Sequence, residues 1–210
     1  MTSRDRILGR LRAARQPFAD TPPLAERRAM VPIEDTSPAG LQRRFTSEAE
    51  KLGCTVHSVE SAAQGVRQIL NLLGSDTAVL SWDLAHIPLP GLAAALDGAG
   101  IRRAVDDPSV RVGITGADAG LAGTGGLVLT TGEGKPRLVS LLPLVHIAVL
   151  QAGRIVPTFE AWVEGRRAAG LAFGAASTLM VVSGPSRTGD IANIPVRGVH
   201  GPGAVHVIIV

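Results

Sequence analysis

The chain has 210 residues, of which 45% are hydrophobic but only 3% aromatic, and its formal net charge is +3. This length is enough to bury one compact core without disulfides, and that core must be built mainly from Leu, Val, Ile and Ala. Cys54 is the single cysteine, which excludes internal disulfides and any four-thiolate metal or iron–sulfur site within this chain.

The charge is unevenly distributed, because the first fifteen residues carry five arginines against Asp5 and leave the rest of the chain slightly acidic. Nucleic-acid binding would need basic residues clustered with aromatic ones on the folded body, so we expect no nucleic-acid partner. The N-terminus lacks the continuous apolar core of a secretory signal, and no apolar run approaches the roughly 20 residues that span a bilayer. We therefore expect a cytoplasmic protein that does not bind membranes.

Residues 4–15 have the pattern of a basic amphipathic helix. The apolar positions fall on one stripe, at Ile7, Leu8, Leu11 and Ala14. Such a helix can contact a membrane or a partner, but the stripe is short and lacks Trp or Phe, which favours docking on its own domain. A proline-bearing connector follows, so we divide the chain into a helix with connector, residues 1–38, and an α/β domain, residues 39–210.

The next part of the chain alternates amphipathic helices with short apolar strands, a pattern typical of a largely parallel sheet covered by helices. Predicted helices are 41–53, 61–74 and 91–100, and predicted strands are 54–60, 77–82 and 102–106. Gly53 and Gly74 are the expected C-terminal caps, and Ser61 is an expected N-cap. Asp83 and His86 follow the second strand, where ligand-facing loops gather in such sheets.

The second half has shorter links. The expected strands are 126–132, 137–143, 145–151, 177–182 and 204–210. We expect at least two neighbouring strands to be antiparallel and joined by the turn around "GEGKP". A helix is predicted over 158–169, with Phe159, Trp162 and Val163 as its core face.

Glycine-rich segments interrupt these strands in four places, at 113–126, 131–137, 183–190 and 199–203. Such loops bring bare backbone N–H groups close to a ligand, and the adjacent Ser, Thr and Arg residues supply further donors. Donors without paired acids favour a small anionic metabolite as the ligand. Thr124, Gly125 and Gly126, just before a strand, are candidate backbone donors to that anion.

The segment "VSGPSRTGDI" leaves a strand through a turn at Gly184 and Pro185. Ser186 can then cap a short helix, with Arg187 as a forked donor beside its first N–H groups. This arrangement would seat a carboxylate or phosphate, with Ser183 and Thr188 alongside. The same residues can equally form a capped helix in which Arg187 pairs with Asp190.

Asp118 and His200 are the best candidates for catalytic residues. Asp118 is the one acid in its glycine-rich segment and could act as a base, although an Asp at a turn more often accepts local backbone hydrogen bonds. His200 lies between Gly198 and Gly201, and Gly201 is a candidate ligand-binding residue, whereas His146 and His206 lie in apolar strands and are expected to be buried. No metal-binding spacing and no nucleophile or nucleotide-binding motif is present.

The segments "VGITGADAGLAGTGGLVLTT", "RLVSLLPLVHIAVL", "VVSGPSRTGDI" and "GVHGPGAVHVII" resemble the lactate-utilization protein C family (LutC/YkgG, the LUD domain) in order and spacing over about residues 80–210. The resemblance implies a three-layer α/β/α sandwich with a mixed, mostly parallel sheet, like ribose-5-phosphate isomerase, glucosamine-6-phosphate deaminase and the CoA transferases. It also implies a role in oxidising L-lactate to pyruvate beside two iron–sulfur partner proteins.

Because of the single cysteine, we expect no cofactor in this chain and place the iron–sulfur clusters on the partners. One departure from the family matters: Gly123 stands where a Glu is expected, so a carboxylate nucleophile of the CoA-transferase type has no residue there. Asp118 is then the only acid of that segment that could substitute. The alternative function is a stand-alone enzyme or sensor that binds a phosphorylated or CoA-like metabolite in the same loops.

Overall fold

The computed structural model describes residues 2–14, 32–104, 106–171, 176–188 and 196–210. Helix α1 (Ser3–Ala14) confirms the predicted N-terminal helix and belongs to a unit of residues 1–30, separate from the unit of residues 31–210. Most of the proline-bearing connector lies outside the described residues. The second unit contains the sheets and the candidate site.

Four helices belong to this unit among the described residues: α2 (Pro38–Lys51), α3 (Ala62–Leu73), α4 (Leu92–Gly98) and α5 (Phe159–Ala168). The first seven strands are β1 (Thr55–Ser58), β2 (Ala78–Ser81), β3 (Arg102–Ala104), β4 (Val112–Gly116), β5 (Ala119–Leu121), β6 (Gly126–Thr131) and β7 (Val145–Leu150). The remaining strands are β8 (Ile155–Val156), β9 (Thr178–Val182), β10 (Arg187–Thr188), β11 (Val196–Arg197) and β12 (Ala204–Ile209).

Local sequence signals account for the helix ends. The Ser61 side chain accepts a hydrogen bond from Gln64 N, and Gly74 closes α3 with a positive φ of 59°. At the end of α2, Gly53 N donates to Glu50 O and Cys54 N donates to Ala49 O, which is a Schellman motif. The predicted caps are therefore confirmed.

The central sheet has six strands in the order β1-β12-β7-β4-β2-β3, and all neighbouring pairs are parallel. The chain leaves β2 towards β3 on one side, whereas it leaves β4 towards β7 on the other. The direction of the connections therefore reverses between β2 and β4. In open α/β sheets, ligands bind in the crevice outside the carboxyl ends of the strands at such a reversal.

Both faces of this sheet are covered. Helix α3 packs on one face, where a Cβ at Gly65 would lie 3.6 Å from Ile208 Cγ2. A second sheet, in the order β8-β5-β6-β9, lies with α2 on the other face, where a Cβ at Gly120 would lie 2.7 Å from Leu150 Cδ2 and 3.0 Å from Phe45 Cε2. Helix α5 covers the outer face of this second sheet through Trp162, which packs with Ala119, Leu121 and Val128. The layered α/β fold with a mostly parallel sheet is confirmed.

The strand predicted over 137–143 is wrong. Residues Arg137–Ser140 form a 3₁₀ helix instead, with Val139 fully buried. This run cannot join either neighbouring strand, because β7 already pairs with β4 and β12, and β6 already pairs with β5 and β9. It packs across the sheet at Gly113 instead, where any side chain would meet the Val139 carbonyl group.

Segment 113–126 is also not the open loop that its glycines predict. It forms β4 and β5, both fully buried, followed by a tight turn. Glycine is needed at Gly116 because a Cβ there would collide with the backbone carbonyl group of His86. In this segment glycine therefore serves close packing between elements.

Candidate functional site

Asp118, Thr130 and Lys135 form a half-buried polar cluster that we call the Asp118 cluster. Asp118 Oδ2 accepts hydrogen bonds from Thr130 N at 2.5 Å and from Thr130 Oγ1 at 2.7 Å. Lys135 Nζ lies 3.3 Å from Asp118 Oδ1 and donates to Thr130 Oγ1 at 2.7 Å. The side chains of Lys135 and Asp118 are only 17% and 18% exposed, so water screens their charges less than it screens a surface pair.

Aromatic and backbone contacts attach this cluster to the end of β2. The Lys135 ammonium lies 5.0 Å from the centroid of the Trp82 ring, a cation–π contact. Trp82 Nε1 donates to Pro136 O at 3.2 Å, and Asp83 N donates to Gly134 O at 2.7 Å. The turn that carries Lys135 is thus held in place by the residues that follow β2.

The Asp118 cluster lies where the fold predicts a ligand. Asp118 follows β4 and Trp82 follows β2, and these are the two strands between which the connections reverse direction. Asp83, singled out in the sequence, caps a 3₁₀ helix Leu84–His86 by accepting from Ala85 N. A Cβ at Gly134 would lie 3.0 Å from the His86 ring, so both predicted residues lie beside the turn that carries Lys135.

Two cavities adjoin these residues. The first has a volume of about 430 Å³ and is lined by Asp118, Arg154, Val156, Ala161, Trp162, Gly165, Arg166 and Leu171. The second has a volume of about 460 Å³, and its lining includes Trp82, Asp83, Arg103 and Gly134. Lys135 contacts Asp118, which lines the first cavity, and Trp82, which lines the second. Its ammonium group therefore touches the lining of both cavities.

Thr124, Gly125 and Gly126, the candidate backbone donors, lie at the other end of the second sheet. Gly125 N donates to Leu121 O at 2.8 Å, and Gly126 N donates to Thr124 Oγ1 at 3.4 Å. Gly125 has a φ of +71°, and a Cβ there would lie 2.7 Å from Ala49 Cα in α2. Packing against α2 therefore accounts for this turn.

The helix predicted after Gly184 is wrong, because Arg187 and Thr188 form β10, which pairs with β11. Ser186 N donates to Pro202 O at 2.8 Å instead of facing an open ligand site. Residues 183–188 form no helix N-terminus, so the predicted anion seat loses the N–H groups on which it depended. Ser183 is exposed beside this turn, and Asp190 lies outside the described residues.

Arg187 instead reaches the C-terminal end of α2. Its Nη2 donates to Leu52 O at 2.8 Å, where the partial negative charge of the helix terminus favours a cation. Gly184 packs against the same residue. The nearby thiol of Cys54 has its pKa raised to about 11 by burial, and the positive charge of Arg187 only partly opposes that shift.

His200 and Gly201 precede β12, and Gly201 packs against the side chain of Ser186. They therefore lie, with residues 183–188, at the amino ends of the parallel strands, whereas Asp118 lies at the carboxyl ends. The four glycine-rich segments do not line one cleft, and the structure brings the two candidate catalytic residues to opposite edges of the sheet.

Of the two histidines predicted to be buried, His146 is buried, whereas His206 is only partly buried. His146 is fully buried and lies 2.9 Å from Thr115 Oγ1 through its Nε2, and burial lowers its pKa to about 4. His57 Nε2 lies 3.3 Å from His206 Nδ1, with the two rings stacked. Burial lowers the pKa of both, and the proximity of His57 lowers that of His206 further.

The described residues contain no group of three or more His, Cys, Asp or Glu side chains that could hold a metal ion. Among the same ranges, no helix is both long enough and apolar enough to cross a membrane. Sequence reasoning missed Lys135, Thr130 and Trp82 as members of the site. The available signal was Lys135 in a glycine-rich turn directly after a buried strand, read there only as part of an anion-binding loop.

The chain is similar to proteins of a known family. Residues 103–210, just over half of the chain, match the LUD domain family. The chain is 30% identical over 178 residues to YkgG of Escherichia coli (strain K12), covering 79% of this chain and 77% of that protein. It is also 24% identical to a DUF162 family protein from Deinococcus radiodurans whose crystal structure covers 83% of this chain and 99% of its own, with a TM-score of 0.60.

Two further relatives carry functional names. Lactate utilization protein C of Halalkalibacterium halodurans is 41% identical over 92 residues, which are 43% of this chain and 40% of that protein. Lactate utilization protein B of Geobacillus sp. (strain WCH70) is 36% identical over 104 residues, 47% of this chain and 20% of that protein. The chain thus spans about two fifths or less of the length of these two relatives. On the family match and the similarity to YkgG, the chain belongs to the LUD domain family.

Proposed function

We propose that this protein is a component of a lactate-utilization system that oxidises L-lactate to pyruvate together with iron–sulfur partner proteins. The observation that carries the proposal is that just under half of this chain is similar to each of two proteins named for lactate utilization, protein C and protein B. Because the chain is similar to a protein B as well as to a protein C, we infer that a B-type protein is the partner.

The chemistry of the oxidation is consistent with a divided system. Two electrons and two protons leave L-lactate when pyruvate forms, so an electron acceptor is required. The single cysteine of this chain cannot ligate a four-thiolate cluster, and it is a buried thiol with a raised pKa. We therefore assign the electron-accepting clusters to the partner.

Within this proposal the Asp118 cluster is the site that binds the small acid. The Lys135 ammonium is the group that can contact the carboxylate of lactate or pyruvate, and the Asp118 carboxylate is the group that can accept the proton of the 2-hydroxyl. The position of the cluster at the reversal of the sheet connections supports this assignment.

Growth of a deletion strain on L-lactate as sole carbon source tests the proposal. We expect loss of growth on L-lactate with normal growth on pyruvate, rescue by the wild-type gene, and no rescue by Lys135→Met or Asp118→Asn. The matched control is Gly98→Ala, because a Cβ at Gly98 meets nothing within 4 Å and should leave rescue intact. Unimpaired growth of the deletion strain on L-lactate would contradict the proposal.

The partnership has a separate test. Affinity purification of the tagged protein from cells grown on lactate should recover a cysteine-rich protein with the visible absorbance of iron–sulfur clusters. Recovery of the tagged chain alone, in cells where the deletion abolishes growth on lactate, would contradict the shared assembly while leaving the metabolic role in place.

A further inference from the structure

Strand β1 is an open edge of the six-stranded sheet. Within the described part of the chain, it pairs only with β12. Val59 N donates to Ile209 O on that side. Because consecutive backbone N–H groups of a strand point to opposite sides, the N–H groups of Val56 and Ser58 point to the free side. A row of unpaired backbone groups of this kind is a template for a strand of another chain.

The two edges of this sheet differ in how they are protected against such pairing. Strand β3, at the opposite edge, carries Arg102 and Arg103, and charged side chains on an edge strand discourage pairing with another chain. Strand β1 has the sequence Thr-Val-His-Ser, with no Lys, Arg, Asp, Glu or Pro. Thr55 and Ser58, at its two ends, are exposed. The composition of β1 therefore leaves this edge free to pair.

Helix α2 forms a wall beside the β1 edge. A cavity of about 510 Å³ is lined by Ser58 and by one stripe of α2, which consists of Ala39, Gln42, Arg43, Thr46, Ser47 and Glu50. Spacings of three and four residues place side chains on the same face of a helix. Gln42 Nε2 donates to Ser58 Oγ at 3.4 Å, so the stripe lies alongside β1. The helix stripe and the strand edge thus form one surface.

The charges along this stripe are self-complementary. Arg43 and Glu50 lie equally far from the point between Thr46 and Ser47, whose small side chains allow a close approach. An antiparallel pair of α2 helices therefore places Arg43 of each copy opposite Glu50 of the other. An arginine has five N–H donors, so Arg43 can bind this carboxylate and keep its 2.8 Å ion pair with Asp35.

The same twofold axis fits the helices and the strands. The middle of the stripe lies about 7 Å from Gln42 along the helix, at a rise of about 1.5 Å per residue. Val56 lies about 7 Å from Ser58 along β1, at a rise of about 3.3 Å per residue. The chain turns back from α2 into β1 through residues 52–54, and Gln42 contacts Ser58, so the middle of the stripe is level with Val56.

We propose that a second copy of this chain docks on this edge and forms a symmetric dimer. In this dimer β1 pairs with β1 in antiparallel fashion, α2 packs against α2, and the two six-stranded sheets become one continuous sheet. The Asp118 cluster follows β4, which β12 and β7 separate from β1. The interface is therefore independent of the role proposed in lactate oxidation.

Sedimentation equilibrium of the purified full chain tests the proposal, and we expect a monomer–dimer equilibrium. Glu50→Arg should weaken dimerisation by at least about tenfold, because two arginines then face each other at both ends of the helix pair. Arg43→Glu should have the same effect through two facing carboxylates. An equimolar mixture of these two variants should dimerise like the wild type, because every arginine again faces a glutamate. Asp106→Arg, exposed beside the opposite edge of the sheet, is the control and should dimerise normally.

A backbone variant tests the strand pairing separately. Ser58→Pro removes an N–H group on the free side of β1 and leaves the bonds to β12 in place, so dimerisation should weaken by about tenfold or more while the monomer stays folded by circular dichroism. Ser58→Ala keeps the N–H group and should dimerise like the wild type.

Two results would overturn the proposal. One is a wild-type chain that stays monomeric up to about 100 μM. The other is a mixture of Glu50→Arg and Arg43→Glu that does not dimerise, and this result decides the question even where Ser58→Pro does not fold. Neither result affects the growth test on L-lactate.

Discussion

The ammonium of Lys135 lies 3.3 Å from the carboxylate of Asp118, a residue 17 positions earlier in the chain. Asp118 follows a central parallel strand, and Lys135 lies in the turn that follows β6 of the second sheet. Thr130 joins the two by donating to Asp118 and accepting from Lys135. A fixed acid–ammonium pair therefore lies at the reversal of the sheet connections, and each charge stabilises the other there.

Asp118→Asn should lower the free energy of unfolding by about 1–3 kcal/mol, because it leaves a half-buried ammonium without its counter-ion. Lys135→Met should have a cost of the same order. The double variant should lose less free energy of unfolding than the two single variants lose together. We expect the difference, which is the coupling energy measured by urea unfolding, to be about 0.5–3 kcal/mol. Glu48 and Lys51, an ion pair in which Lys51 is 64% exposed, form the control and should couple by less than about 1 kcal/mol. Strict additivity at Asp118 and Lys135 would contradict the pairing.

Gly125→Ala should destabilise the protein by about 2 kcal/mol or more, because the residue has a positive φ of 71° and its Cβ would press on the backbone of α2. Thermal unfolding measures the loss. Gly98→Ala, with open space at its Cβ, should change stability by less than about 0.5–1 kcal/mol and in the stabilising direction. If both variants behaved alike, the packing explanation for the turn would fail.

Arg187→Ala should cost about 1 kcal/mol, the usual contribution of a hydrogen bond between a charged group and a helix carbonyl oxygen at an exposed site. Thermal unfolding of the variant and of the wild type, with and without inorganic phosphate, measures the loss of stability and any binding of an anion. Loss of anion binding without loss of stability would restore the anion seat predicted from the sequence around Ser186.

His146 should make stability depend on pH in a defined direction. Burial lowers its folded-state pKa to about 4, below the ordinary value of 6.5, so the unfolded chain binds a proton that the folded chain does not. Stability from this residue is therefore full above about pH 6.5 and decreases as the pH falls towards 4, by about 3 kcal/mol in total. Urea unfolding at pH 7 and at pH 4.5 measures this loss.

The control for this pH dependence is His146→Asn, which removes the titrating group. Its free energy of unfolding should decrease less steeply over the same interval, while His57 and His206, whose pKa values are also lowered, keep their share of the slope. An equal slope in the variant and the wild type would show that His146 does not provide the effect.

Much of the first half of the fold could be predicted because its signals are local. The periodicity of α3, its Ser61 cap and its Gly74 terminus lie within one short stretch, and each acts through neighbouring backbone groups. The failure at 137–143 has a different origin. That stretch is as apolar as a strand, but whether it becomes one depends on free strand edges, which are set by pairings between distant residues.

The candidate site shows the same division. The sequence alone showed that the chain has one cysteine, that helices and strands alternate, and that Asp118 lies in a glycine-rich segment. It also showed that the glycine-rich segments resemble the LUD domain. Only the tertiary structure shows that Asp118 pairs with Lys135 and that Arg187 donates to the Leu52 carbonyl group at the C-terminal end of α2. It also shows that His200 lies at the amino ends of the parallel strands, opposite to Asp118. A glycine-rich sequence looks the same whether its glycines expose backbone to a ligand or let two buried elements approach closely. Only the residues packed around each glycine distinguish these two roles.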